Sequence, residues 1–80
     1  MSKFYKITQG THFEGHWVEP RFPLNIKANM DLNIKHGVAF ELTEKEAIDM
    51  SSSPAWGSGI YEVEEGGIWT CIADNFNTSD

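Results

Sequence analysis

Two histidines, His12 and His16, have a spacing that binds zinc when both side chains share one helical face. Gly15 stands between them and prolines follow closely, so a helix is not expected at this point. Two ligands are also fewer than zinc usually takes from a protein. A small metal-dependent enzyme using His12 and His16 is therefore the weakest function that the sequence suggests, and we expect no metal site and no cofactor.

Nucleophilic catalysis has little support either. Cys71, the one cysteine, falls in a predicted strand, where a thiol usually packs as a small apolar side chain. Ser51, Ser52, Ser53 and Ser58 lie in a predicted loop without the strand–turn–helix elbow of a serine nucleophile. A chain of 80 residues also has little core to spare for a catalytic pocket. We predict no catalytic residue and no enzymatic activity.

Charge is distributed unequally along the chain, whose formal net charge is -6. Residues 1–36 hold five basic and three acidic side chains, whereas residues 37–80 hold one basic and nine acidic side chains, a balance of -8. An acidic protein is poorly suited to hold nucleic acid by its phosphates or to bind an anionic membrane. We therefore expect neither direct nucleic-acid binding nor membrane binding.

Carboxylates of the acidic half are concentrated on a predicted short helix and on a predicted strand with its turn. If helix and strand adjoin, six carboxylates form one negative face, which would attract a basic groove and speed association with it. The alternative is a solvated surface that only keeps a small protein soluble. Trp56, in a Ser/Gly-rich loop, either adds an interface hot spot or covers the core, and Trp17 is expected to cover the core. The predicted partner-binding residues are Glu44, Glu46, Asp49, Trp56, Glu62, Glu64 and Glu65.

A single cysteine excludes an intramolecular disulfide and favours a reducing compartment. No apolar signal-peptide core follows the first residues, and no apolar run approaches the roughly 20 residues of a membrane span. We expect a cytoplasmic protein, or a protein of the host cytoplasm if a phage encodes it. It should form one domain over residues 1–80, with a frayed polar tail at residues 74–80.

The first half of the chain is predicted to be largely strand. A strand over residues 3–8 is followed by a long aromatic-rich loop with a short strand near residues 16–18. Residues 24–34 alternate strictly between apolar and polar side chains, the pattern of a strand with one buried face. The apolar set continues in a strand from Val38, which predicts a hairpin whose three-residue loop ends at Gly37 in the left-handed conformation.

The second half is predicted to contain one helix and a second hairpin. Thr43 and Glu46 have the spacing of a capping box, which predicts a helix over residues 44–50. Strands at residues 60–64 and 68–73 follow. Their three-residue loop, Glu65-Gly66-Gly67, pairs Val63 with Trp69 and Tyr61 with Cys71.

The predicted fold is α+β: a small antiparallel sheet of about four or five strands, built from two hairpins with one short helix between them. An open sheet edge would permit a homodimer or a strand from a partner. The favoured function is a small acidic, non-enzymatic binding protein, with a composition common among phage and mobile-element accessory proteins. It would inhibit a basic, nucleic-acid-handling host protein through its acidic C-terminal half. The alternative is a structural or assembly subunit that uses the open edge and the aromatic loops around Trp17 and Trp56.

Overall fold

A computed structural model describes residues 2–76 of the chain, which form six strands and two helices. In chain order these are β1 (Ser2–Thr8), β2 (Thr11–Phe13), β3 (His16–Val18), α1 (Lys27–His36), β4 (Ala39–Leu42), α2 (Glu44–Ser51), β5 (Ser58–Glu64) and β6 (Trp69–Asp74). An antiparallel sheet has the strand order β4-β1-β5-β6, and β2 pairs with β3 in a separate two-stranded sheet. The predicted α+β class and small antiparallel sheet are confirmed.

The main hydrophobic core lies on one face of the four-stranded sheet, which we call the core face. Tyr5 and Ile7 of β1 project onto this face, as their alternation with polar residues predicts, and both are buried. Met30 of α1 packs in the same cluster, so α1 covers this side of the sheet. The complete cluster is Tyr5, Ile7, Leu24, Met30, Ala39, Tyr61 and Val63.

The opposite face of the sheet is crossed by α2, and we call it the α2 face. β4 and β5 are both antiparallel to β1, which lies between them, so they run parallel to each other and α2 must pass over β1 to connect them. Lys6 stands beside Phe40 and Ile60 in this part of the sheet. Ile60 of β5 and Ala47 of α2 are both buried, as expected where a helix packs on strands.

The prediction of a strand over residues 24–34 is wrong, because α1 occupies most of this segment. Met30 and Asn33, one helical turn apart, are the buried residues of α1. Ile26 and Ile34, which the strand pattern assigns to a buried face, are 47 % and 44 % exposed. The buried residues of this segment therefore do not follow the apolar alternation of its sequence.

The first predicted hairpin is also wrong. Gly37 ends α1 in the left-handed conformation, with φ of 81°, and its N–H donates to the carbonyl of Ile34 at 3.1 Å. β4 then pairs with β1, where Phe40 stands opposite Lys6. Phe40, predicted to be buried, is 48 % exposed on the α2 face. The glycine thus has the backbone conformation predicted for it, but in a helix C-cap and not in a hairpin.

The capping box is confirmed. The Glu46 N–H donates to Thr43 Oγ1 at 3.1 Å, and the Thr43 N–H donates to Glu46 Oε1 at 2.8 Å. The helix that begins here ends at Ser51, one residue beyond the predicted end. It lies between β4 and β5 in the chain but not between two hairpins, because β4 has its partner in β1.

The second hairpin has the predicted register, in which Val63 pairs with Trp69 and Tyr61 pairs with Cys71. The left-handed residue of its loop is Gly66, with φ of 73°, and not Gly67 at the third loop position. A β-bulge separates the pair of Tyr61 and Cys71 from the pair of Ile60 and Ala73. This irregularity shifts the register by one residue toward the end of β6.

Part of the predicted frayed tail is ordered by contacts with β5. Asp74 is the last residue of β6, and the Asn75 N–H donates to the Ser58 carbonyl at 2.8 Å. Phe76 packs against the core cluster. The remainder of the predicted tail, residues 77–80, lies outside the described residues. Neither α1 nor α2 is long and apolar enough to cross a membrane.

Candidate protein-interaction surface

The helix α2 carries three of the predicted partner-binding carboxylates. Glu44 and Glu46 lie in its first turn, where the positive end of the helix dipole favours negative charge. Asp49 is exposed in the second turn. Glu46 uses one carboxylate oxygen to cap the helix, so its charge is held at a fixed position close to Thr43.

The last residues of β5 bring two further carboxylates to the same side of the sheet. Glu62 and Glu64 alternate with buried core residues and therefore project onto the α2 face. Ser2 stands opposite Glu64, and its hydroxyl donates to Glu62 Oε2 at 2.7 Å. Glu44 lines a shallow depression together with Ser2. The beginning of α2 and the end of β5 thus meet at Ser2. We call Glu44, Glu46, Asp49, Glu62 and Glu64 the acidic surface.

Glu65 is separated from the acidic surface. It follows β5 in the turn and lines a cavity of about 510 Å³ beside α1, together with Lys27 and Asp31. The Lys27 ammonium lies 3.0 Å from the Asp31 carboxylate, and the Lys3 ammonium lies 3.9 Å from a carboxylate oxygen of β4. The surroundings of Glu65 are therefore of mixed charge, and Glu65 lies apart from the carboxylates of α2.

Trp56 lies at the other end of the sheet. It precedes Ser58, which pairs with Thr8 at the end of β1 remote from Ser2. Its side chain is 73 % exposed and borders a groove of about 420 Å³, which Trp17 also borders. Trp56 therefore does not belong to the acidic surface, although sequence reasoning groups them together.

Trp17 is a candidate binding residue that the predicted partner-binding residues do not include. We predicted that it covers the core, but it is 54 % exposed. Its indole lies against the backbone of Gly10, where an added Cβ would be 2.5 Å from Cζ2 of the ring. The glycine directly before β2 is the one sequence signal for this close approach.

The histidines and the cysteine have roles different from those considered for catalysis. His12 and His16 lie on β2 and β3, and the His12 ring meets the Trp17 ring edge-on at 5.3 Å. Cys71, expected to pack in the interior, is exposed and its Sγ donates to Asp74 Oδ2 at 3.4 Å. Desolvation and the Asp74 carboxylate raise the pKa of the Cys71 thiol, which opposes formation of a nucleophilic thiolate. Within residues 2–76, no group of three or more His, Cys, Asp or Glu side chains is arranged to hold a metal ion.

When compared with models of protein families, with curated proteins and with solved structures, the chain matches none of them. Two surfaces of the molecule stand out. One is the acidic surface, whose residues Glu44, Glu62 and Glu64 lie near Ser2. The other is the tryptophan-lined groove at the opposite end of β1.

Proposed function

We propose that the protein is a non-enzymatic binding protein whose acidic surface docks on a basic surface of a protein partner. The observation that carries the proposal is the meeting of α2 and β5 at Ser2, where the Ser2 hydroxyl holds the Glu62 carboxylate and Glu44 borders the same depression. The carboxylates of Glu46 and Glu62 are held by hydrogen bonds, so these two need little side-chain ordering when a partner binds.

The partner class that fits such a surface is a protein that handles nucleic acid. A groove that binds phosphates is lined by Lys and Arg, and a row of fixed carboxylates can occupy it. Binding would exclude the nucleic acid and so inhibit the partner. The formal net charge of -6 would steer the two proteins together at a rate that falls as salt is added.

The test compares charge reversals that change the net charge equally at two places. Glu44→Lys and Glu64→Lys alter the acidic surface, whereas Glu65→Lys alters the mixed-charge region beside α1. Each variant serves as bait in cells of the native host, and retained proteins are quantified by mass spectrometry at two salt concentrations. A partner retained by the wild type is then purified, and its nucleic-acid binding is titrated with each variant.

We expect Glu44→Lys and Glu64→Lys to lose both retention and inhibition, and Glu65→Lys to keep them. Most proteins that the wild type retains and Glu44→Lys and Glu64→Lys lose should be basic. Their rate of association with the wild type should fall as salt is added. Equal retention by all three variants, or retention that does not change with salt, would refute docking through the acidic surface. A retained partner whose nucleic-acid binding is unaffected would refute the inhibitory role.

A second candidate is a subunit that assembles through the outer edge of β6. Residues 69–73 of this strand carry no charge, and Ile68 and Ile72 are 72 % and 44 % exposed beside it. β4, the other edge of the sheet, carries Glu41 in an ion pair with Lys3. Charged side chains on an edge strand oppose pairing with another chain, and the one such residue of β6 is Asp74 at its end.

Sedimentation velocity over a range of concentrations tests the β6 candidate. We expect a dimer that Ile72→Lys dissociates and that oxidation of Cys71 traps, since antiparallel copies of β6 would bring the two thiols close together. A matched charge at Ile48, exposed on α2, should leave the dimer intact. A monomer at every concentration would exclude this candidate without bearing on the acidic surface.

A further inference from the structure

We infer that the groove between Trp17 and Trp56 binds an extended, proline-containing peptide segment that carries an acidic side chain. The groove has a volume of about 420 Å³ and lies at the end of the sheet remote from Ser2. Both tryptophans line it, and small residues make up much of the remainder. Its lining is Lys6, Thr8, Gln9, Gly10, Trp17, Ala55, Trp56, Gly57 and Ser58.

Trp17 is held rigidly despite its exposure. Its ring rests on Gly10, where there is no room even for a methyl group. Its Nε1 donates to Glu19 Oε2 at 3.3 Å, and the His12 ring packs edge-on against it. Ordering an indole before binding removes part of the entropy that a partner would otherwise have to supply.

The loop that carries Trp56 is also anchored on both sides. The Gly57 N–H donates to the Asn75 carbonyl at 2.7 Å, and the Gly57 carbonyl accepts from the Gln9 N–H at 2.9 Å. Ser58 adds a hydrogen bond from its hydroxyl to the Ala55 carbonyl at 2.8 Å. The position of Trp56 relative to β1 is therefore set by the main chain, although its side chain is largely exposed.

Exposed aromatic side chains that line a groove dock polyproline II segments, because proline rings pack flat on aromatic rings. Trp17 and Trp56 both line this groove and are both exposed. Gly57 has no side chain to fill the groove, so the peptide main chain can approach closely at this residue. Isolated exposed tryptophans need no explanation, but two that share a groove form an apolar patch typical of a binding site.

Lys6 favours a negative charge on the bound peptide. It is half-buried on the α2 face, and within residues 2–76 no carboxylate lies within 4.0 Å of its ammonium group. By contrast, Lys3 and Lys27 both have acidic partners. An unpaired cation in the groove favours a ligand with a carboxylate. The net charge of -6 repels a polyanion, which makes a peptide with one acidic residue a better ligand than a nucleic acid.

The test uses the acetylated and amidated peptide Pro-Pro-Glu-Pro-Pro, its counterpart with Gln in place of Glu, and a thymidine pentanucleotide. Each is titrated into the full chain, and the indole N–H signals of the three tryptophans are followed by two-dimensional nuclear magnetic resonance. Trp69 is an internal control, because it lies on the core face. Its ring centroid is 5.9 Å from that of Tyr61 and 5.5 Å from that of Phe22.

We expect the Glu peptide to shift the Trp17 and Trp56 signals at roughly millimolar concentration, without shifting Trp69. It should bind about two- to fivefold more tightly than the Gln peptide, the range of a partly exposed charge pair. Lys6→Met should abolish this preference, and Lys27→Met, which removes the ion pair with Asp31 on α1, should preserve it. Trp56→Ala should weaken binding about tenfold or more, with an unchanged circular dichroism spectrum because the side chain is exposed.

Three outcomes would overturn the proposal: no shift with either peptide, equal shifts at Trp69, or binding of the thymidine pentanucleotide alone, which would identify a nucleic-acid site. Glu44→Lys and Glu64→Lys should leave peptide binding unchanged, because Glu44 and Glu64 lie near Ser2, at the end of β1 remote from the groove. The groove can therefore fail this test while docking through the acidic surface passes its own, and the reverse also holds.

Discussion

The Asn33 side chain satisfies both polar groups of the Arg21 main chain. Asn33 Oδ1 accepts from the Arg21 N–H at 2.7 Å, and Asn33 Nδ2 donates to the Arg21 carbonyl at 3.1 Å. Asn33 has no exposed surface and lies on α1, while Arg21 lies in the segment between β3 and α1. This one amide therefore replaces the backbone pairing that an irregular segment lacks.

Asn33→Asp tests this relationship. The substituted carboxylate keeps the shape but cannot donate to the Arg21 carbonyl, and it would have to be buried as a charge or protonated. We expect the free energy of unfolding at neutral pH to fall by about 2–4 kcal/mol, measured by urea denaturation. Asn29→Asp is the control, since the exposed Asn29 amide also bonds a main-chain carbonyl, that of Pro23. Equal losses from the two variants would contradict the role of Asn33.

Thr43→Ala should lower the free energy of unfolding by about 1 kcal/mol, because it removes the acceptor for the Glu46 N–H at the beginning of α2. Thr43→Ser keeps that oxygen and should remain close to the wild type. Urea denaturation of the three proteins provides the comparison. Thr70→Ala, an exposed change on β6, controls for loss of a threonine in general and should have little effect.

Gly59 is required because Phe76 packs against it. A Cβ at Gly59 would lie 2.9 Å from Cε2 and Cζ of Phe76 and 3.1 Å from Tyr61. We expect Gly59→Ala to cost about 1–3 kcal/mol of stability. In a Phe76→Ala background the same change should cost less, which a double-mutant cycle measures as a coupling energy. A zero coupling would show that the phenyl ring does not occupy this position.

Tyr61 should ionise at unusually high pH. Desolvation is the main cause, and the adjacent Cys71 thiol adds to it, so that the pKa of Tyr61 is raised to about 12 from an ordinary value of 10. The unfolded chain then loses this proton first, so the free energy of unfolding should fall as the pH rises from about 10 to about 12. This stabilising contribution is fully present only below pH 10.

Phenolate absorbance in a Tyr5→Phe variant isolates the titration of Tyr61. Cys71→Ala should lower the pKa of Tyr61 by removing one of its causes, and Thr70→Ala, on the other face of the sheet, should leave it unchanged. Titration of Tyr61 at its ordinary pKa in the folded protein would contradict its burial on the core face.

The features that could be predicted from sequence are those encoded within a few residues. The cap of α2 needs only Thr43 and Glu46, which recognise each other within one helical turn. The β5–β6 register follows from a glycine-rich loop and the alternation that leads to Val63 and Trp69. In both cases local preference and tertiary packing favour the same structure.

In the segment that forms α1, the local sequence pattern and the tertiary packing favour different structures. Its beginning has no side-chain cap, and the position that the helix buries most completely is occupied by a polar residue, Asn33. Ile34 is exposed next to it, so the helical stripe is absent from the sequence and a coincidental alternation remains. Lys35 and His36 in the last turn, followed by Gly37, were the signals that indicate a helix end.

The candidate sites were predictable only in part. Exposure of Trp56 follows from a loop of small residues around one large side chain. Its nearness to Trp17 and Lys6 depends on β1, the β2–β3 hairpin and the end of α2 being brought together, which no local pattern encodes. The separation of Glu65 from Glu64 similarly depends on where the chain turns after β5.

The place of β1 between β4 and β5 has a consequence for synthesis on the ribosome. β1 is translated before either of its partners, and Tyr5 must wait for Tyr61 before their pairing is complete. Until then the backbone donors and acceptors on the β5 side of β1 face solvent or other chains. Local hairpins can close as they emerge, but the four-stranded sheet is complete only after β5 and β6 have left the exit tunnel, so its formation depends on contacts between distant parts of the chain.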